Sequence, residues 1–179
     1  RLRPVHDPLR RHVPGLEWHE APRATRGQLA RVHDDILLRR VLDFHPDERI
    51  ALDQDTVLSP QSGEAALRAA GAGAPAVDAV MHGEVHAAFC AVRPPGHHAT
   101  RDLAMGFCLF DNIAVAAAHA LERHGLSRIS VIDFDVHHGN GTQAIFEHEP
   151  RVQYLSTHQA PLIPDTGDRN GRGVGNIFN

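Results

Sequence analysis

Ile129-Ser130-Val131-Ile132-Asp133-Phe134-Asp135-Val136-His137-His138-Gly139-Asn140-Gly141 is the stretch on which the fold turns. It begins as an apolar, β-branched strand and ends in carboxylates, imidazoles and glycines. Alternate side chains of an extended strand share a face. Asp133, Asp135 and His137 therefore point one way, and Ile132, Phe134 and Val136 the other. Two carboxylates followed by an imidazole are costly in a core unless a partner neutralises them. A divalent cation is such a partner, and Asp and His are good zinc ligands. The plainer alternative is a strand whose polar end sits in water, and the rest of the chain decides between them.

Outward from this strand the pattern alternates. Asp111 caps a helix over about 112–124, which Gly125 closes. The strand itself covers about 128–135. A shorter helix at about 142–147 leads to a strand at 152–156. Upstream, the apolar run 87–92 reads as a strand leading into the loop Arg93-Pro94-Pro95-Gly96-His97-His98. Strands and helices in this alternation, with short links, predict a parallel sheet covered by helices. In such sheets ligands bind beyond the carboxyl ends of the strands. The three strands end in His97-His98, in Asp135, His137 and His138, and in Ser156-Thr157-His158. A chance scatter of histidines would not converge on one rim.

The amino-terminal third is less regular. Residues 1–24 are rich in Arg, His and Pro and show little periodicity. Thr25-Arg26-Gly27-Gln28 reads as a capping box for a short helix to about Val32. A second helical run covers 34–42, and 43–58 reads as loop. Ser59-Pro60 can open a helix whose body, about 65–81, is broken by Gly71-Ala72-Gly73-Ala74-Pro75. Gly83 ends it.

A chain of 179 residues with 42% hydrophobic content can build one domain with a real core. The net charge of −4 and the pI near 6.4 argue against a nucleic-acid partner. Two cysteines, Cys90 and Cys108, do not make a disulfide framework, and a reducing, cytoplasmic setting is expected. There is no membrane-spanning run and no signal-peptide pattern. The chain begins at Arg1 and stops at Asn179 within an apolar run, so both ends look cut.

Three ordered motifs, Arg93-Pro94-Pro95-Gly96-His97-His98-Ala99, Gly106-Phe107-Cys108 and Asp133-Phe134-Asp135-Val136-His137-His138-Gly139, resemble the zinc-dependent deacetylases. That family includes histone deacetylases and bacterial acetylpolyamine amidohydrolases. The resemblance implies the arginase-deacetylase three-layer α/β fold, here a single partial catalytic domain covering about two-thirds or less of the whole. It implies that Asp135 and His137 are two of three zinc ligands. It makes His97 and His98 the proton-handling pair, with Asp133 orienting the first. Asn140 stands at the partner position of the second, where class-II-like members carry Asn. Asp133 and Ser156 would flank a structural potassium ion. Gly106 and Phe107 would wall a narrow tunnel for an acyl-lysine-like arm.

The implied chemistry is hydrolysis of an acetyl-amide, of the acetyl-lysine or acetylpolyamine type, to acetate and a free amine. Zinc polarises the carbonyl and acidifies water. Histidines, with pKa values near neutral, move the protons. Asp133 raises the basicity of one imidazole while Asn140 cannot, so the two should differ. One rival is a binuclear-manganese ureohydrolase, but its motif carries a further Asp where this chain has Gly139. Another is a metal-binding pseudo-deacetylase or an inactive fragment. The third zinc ligand and the transition-state Tyr are not found, and Asp165 and Asp168 read as solvated turn residues. With two ligands and an unpaired sheet edge, this piece is expected to be inactive alone and to associate with itself. No membrane partner is expected.

Overall fold

The computed structural model describes residues 2–44 and 46–179. Its α-helices are α1 (Arg3–His12), α2 (Arg26–Leu29), α3 (Asp35–Leu38, continued by a π-helical turn over Arg39–Asp43), α4 (Ser62–Gly71), α5 (Gly73–Met81), α6 (Asn112–His124) and α7 (Asn140–Phe146). Its strands are β1 (Ile50–Ala51), β2 (Val57–Leu58), β3 (Ile129–Asp133), β4 (Val152–Ser156) and β5 (Ile177–Phe178). β3, β4 and β5 form a parallel sheet in that order, with Ile129 opposite Val152 and Asp133 opposite Ser156. Such pairing needs a crossover, and α7 supplies it between β3 and β4.

Local chemistry explains most boundaries. The Thr25 side chain accepts from the Gln28 N–H while Gln28 reaches back to the Thr25 N–H, so the capping box forms. Ala72 alone separates α4 from α5. Asp111 accepts from the Ala114 N–H at the start of α6, and Gly125 closes that helix in the left-handed region. α6 is buried from Ala114 to Leu121. Its alanines let α4 and α5 pack closely on one side and β3 on the other. Leu29, Leu37, Val41, Phe110, Val115, Val131, Ile145, Tyr154 and Ile177 lie in the one core cluster these elements share.

Three sequence expectations fail. Residues 87–92 form no strand and are mostly exposed, because no neighbouring strand accepts them. Residues 1–24 do contain a helix. α1 starts with proline in its first turn and ends in Arg10, Arg11 and His12, both favourable placements, and it sets Val5 and Leu9 on one face, although it buries no residue. The segment 43–58, read as loop, contains the antiparallel pair β1–β2, closed by Asp53 accepting from the Asp55 and Thr56 N–H groups. No helix among the described residues is long and apolar enough to cross a membrane.

Candidate active site

β3 behaves as its alternation predicts. Val131 is buried, while Ile132, Phe134 and Val136 face outward. Past its end, Asp133, Asp135 and His137 gather on the other side with the paired histidines. His97 and His98 arrive by a different route from the strand expected of them. The His97 carbonyl accepts the N–H groups of Gly141 and Thr142, so the loop is clamped to the amino end of α7.

His97 Nδ1–H donates to Asp133 Oδ2 at 2.9 Å, and the Tyr154 hydroxyl donates to the same oxygen at 3.0 Å. The Asp135 N–H holds the other oxygen. His98 Nδ1 lies 2.8 Å from Asn140 Oδ1, and the two imidazole centroids are 4.1 Å apart. Each ring thus spends its Nδ1 on a fixed acceptor and keeps Nε2 for chemistry. Burial opposes charge on both rings. Around His97 the hydrogen bond and charge of Asp133 outweigh it, and the pKa rises. Around His98 burial wins over the Asn140 bond, and the pKa falls. Burial likewise works against ionised Asp133, but its bonds from His97 hold it below the usual carboxylate range.

Asp135 and His137 are brought together. Asp135 Oδ1 accepts from His137 Nδ1 at 2.9 Å and from the His137 N–H at 2.8 Å. A carboxylate oxygen and an imidazole nitrogen this close suit zinc, whose bonds to them are about 2.0–2.2 Å. Among the described residues no third ligand of that kind converges with them. His138, also expected on the rim, has both nitrogens occupied, by Thr166 and Gln143, and cannot move protons freely. Asp133 and Ser156 sit opposite each other on β3 and β4, but the Ser156 hydroxyl is bonded to His158 rather than turned to Asp133.

Two glycines are dictated by space. A Cβ at 139 would overlap Asp133 Oδ2 and the Tyr154 hydroxyl, so no side chain, and no ureohydrolase-type carboxylate, fits there. Gly106 has φ +56°, and a Cβ would strike the His98 ring. Gly106 and His98 line a cleft of about 800 Å³ with Met105, Leu162 and Ile163, and with Asp53, Asp55 and Asp165 as its acidic members. Phe107, with φ 67°, is exposed and lines a neighbouring depression instead. Its N–H is held by the Thr56 hydroxyl. Cys108 is buried, and desolvation pushes its thiol up to about 12.

Three participants were not legible beforehand. Tyr154 reads as a core residue of an apolar strand. Met105 takes the Asn140 amide on its sulfur at 3.4 Å. His33 accepts the Asp111 N–H on Nε2 and donates from Nδ1 to the Thr100 carbonyl, while the Thr142 hydroxyl donates to Asp111. That network fastens α6 to α7 beneath the paired histidines. All three contacts join residues far apart in sequence, and no local spacing announces them.

A parallel sheet carrying two imidazoles held by different acceptors, beside a carboxylate–imidazole pair at its strand ends, marks the class as an α/β protein with a polar site on the rim of its sheet. The chain belongs to the histone deacetylase family: the model of the histone deacetylase domain matches residues 1–179. A histone deacetylase-like amidohydrolase of Pseudomonas aeruginosa is 44% identical over 165 residues, 88% of this chain and 43% of that protein. An uncharacterized protein of Synechocystis is 41% identical over 169 residues, 91% of this chain and 55% of its own length. A polyamine deacetylase, HDAC10 of Rattus norvegicus, is 48% identical over 126 residues, 66% of this chain and 21% of that protein. The crystal structure of the HDA15 HD domain superposes with a TM-score of 0.93 at 36% identity, over 99% of this chain and 54% of that one. The chain therefore spans about half the length of the first two relatives and of that structure, and its architecture is part of an arginase-deacetylase-type domain.

Proposed function

We propose that the protein carrying this chain is a zinc-dependent deacetylase of cationic acylated amines, of the acetyl-lysine or acetylpolyamine type. The observation that carries the proposal is the pairing of His97 with Asp133 and of His98 with Asn140, with His98 opening on an acidic cleft.

His98, with its pKa lowered, is neutral near pH 7 and can accept the proton of an attacking water on Nε2. His97, whose pKa Asp133 raises against the effect of burial, is the more basic of the two rings and can pass a proton to the departing amine. Asp133 and Asn140 hold the two rings through Nδ1, so neither has to reorient between the two transfers. When bound at Asp135 and His137, zinc supplies Lewis-acid polarisation of the amide and makes water a stronger acid.

The cleft favours a particular substrate arm. Met105, Leu162 and Ile163 offer an apolar path for methylenes, while Asp53, Asp55 and Asp165 offer negative charge and none of the lining residues is Lys or Arg. A cationic amine or a lysine-rich peptide matches that field.

The test uses the full-length enzyme. His98→Ala is expected to lower turnover of an acetyl-lysine peptide or an acetylpolyamine by at least about 10²-fold while zinc content is unchanged. Asp55→Asn is expected to lower kcat/KM more for an acetylpolyamine than for an uncharged acetylated amine. Unchanged turnover after His98→Ala would overturn the catalytic assignment, and equal losses on both substrates would overturn the cationic one.

A further inference from the structure

Asp78 on α5 and His119 and His124 on α6 converge away from the paired histidines. The Nε2 atoms of His119 and His124 lie 2.8 Å and 2.7 Å from the same oxygen, Asp78 Oδ1. The three candidate ligand atoms all lie within 4.8 Å of one another. α6 is 13 residues long, so at about 1.5 Å per residue its carboxyl end is roughly 20 Å from the end that Asp111 caps. The cluster is thus remote from the cleft, and no step of the proposed reaction uses it.

We propose that Asp78, His119 and His124 bind a divalent metal ion, zinc in the first instance, and thereby pin α5 to α6. Two imidazoles and a carboxylate form a donor set that zinc accepts, with bonds of about 2.0–2.2 Å. Tetrahedral coordination at that bond length requires the donors to stand about 3.3–3.5 Å apart, so each histidine–carboxylate pair must open by less than about 1 Å from its hydrogen-bonded position.

The rest of the cluster is built in the same sense. His119 is buried at 6% exposure, so packing fixes its ring with Nε2 aimed at Asp78. Its Nδ1 is buried and has no hydrogen-bond partner among the described residues. Hydrogen bonding alone spends two donors on a single carboxylate oxygen, a poor arrangement for a purely structural pair. A cation uses all three groups at once. His82, one helical turn beyond Asp78, has its ring 5.6 Å from that of His124, so the fourth position is open to water or to this side chain. A metal-bound histidine usually also donates its second nitrogen to an acceptor. His119 lacks that acceptor, which places the site among moderate zinc sites rather than the tightest.

The test is metal stoichiometry in the full-length protein carrying Asp135→Ala and His137→Ala, which disable the catalytic pair. After zinc loading and desalting, this chain is expected to retain about one zinc at the second site. Adding Asp78→Asn, or separately His124→Gln, is expected to abolish retention while the zinc-free circular dichroism spectrum stays that of the parent. Zinc should also slow amide hydrogen exchange in α5 and the end of α6, and Asp78→Asn should remove that protection. His124 is the last residue of α6, so His124→Gln keeps the test sound if Asp78→Asn does not fold. Failure of the parent to retain zinc overturns the proposal, as does retention that survives both substitutions; in either case Asp78 is only a hydrogen-bonded clamp. The result is independent of whether the paired histidines catalyse anything.

Discussion

His97 and His98 differ by the atom each Nδ1 meets, a carboxylate oxygen for one and an amide oxygen for the other. That difference is open to direct manipulation. In the full-length enzyme, Asn140→Asp keeps an acceptor at the same position but adds a negative charge, so the pKa of His98 should rise. A base with a higher pKa is protonated over more of the acidic range. The acidic limb of the kcat/KM profile should therefore move to higher pH, with activity retained on the alkaline side. A limb that does not move would show that His98 is not the base. The close pairing of Asp135 with His137 could be read from spacing, because both lie on a tight chain segment at a strand end. The pairing of His97 with Asp133, 36 residues away, was legible only through the family resemblance. The second holder of Asp133, the Tyr154 hydroxyl, could be read from neither. It belongs to a different strand, and its apolar ring fits the core pattern so well that the polar tip draws no notice.

Among the elements, those that end on their own local signals were legible. The stops at Gly83 and Gly125 need only the positive φ that glycine allows, and the start of α6 needs only the cap at Asp111. The run 87–92 was misread because a strand is defined by its neighbour, and an apolar composition does not supply one. The seam between α6 and α7 makes its own prediction. Burial lowers the pKa of His33 to about 4, far below its ordinary value near 6.5. The unfolded chain therefore binds the extra proton more readily between those values. The stability His33 contributes is complete above about pH 6.5 and is lost as pH falls toward 4, by up to roughly 3 kcal/mol. Asp111 works the other way. Burial raises its carboxyl to about 7, so its contribution is present near pH 4 and lost as pH rises to 7. Urea unfolding of wild type and His33→Gln, compared point by point across that range, cancels the Asp111 effect. The difference between them should shrink steadily as the solution is acidified. A constant difference would mean that His33 is not buried neutral.

For the whole molecule, the governing fact is a sheet with one uncovered side. β3 pairs with β4 alone among the described strands, and Ile132, Phe134 and Val136 stand exposed beside it, as does Phe89 in the unpaired run. Residues 1–179 purified alone should therefore sediment as a dimer or larger species rather than a monomer. With two zinc ligands at the cleft they should not hydrolyse an acetyl-lysine peptide. A monomer with chelator-sensitive turnover would refute both halves of that expectation. The two cysteines offer a way to watch such changes. Cys108 lies under His98 with its thiol held protonated, whereas Cys90 is exposed, with its sulfur 3.6 Å from the Ala72 carbonyl at the joint between α4 and α5. Within residues 1–179 a maleimide dye will thus react at Cys90 without any engineering. Residues 1–179 carry one ready attachment point for a fluorophore, seated where movement of the segment leading to the paired histidines would change its brightness.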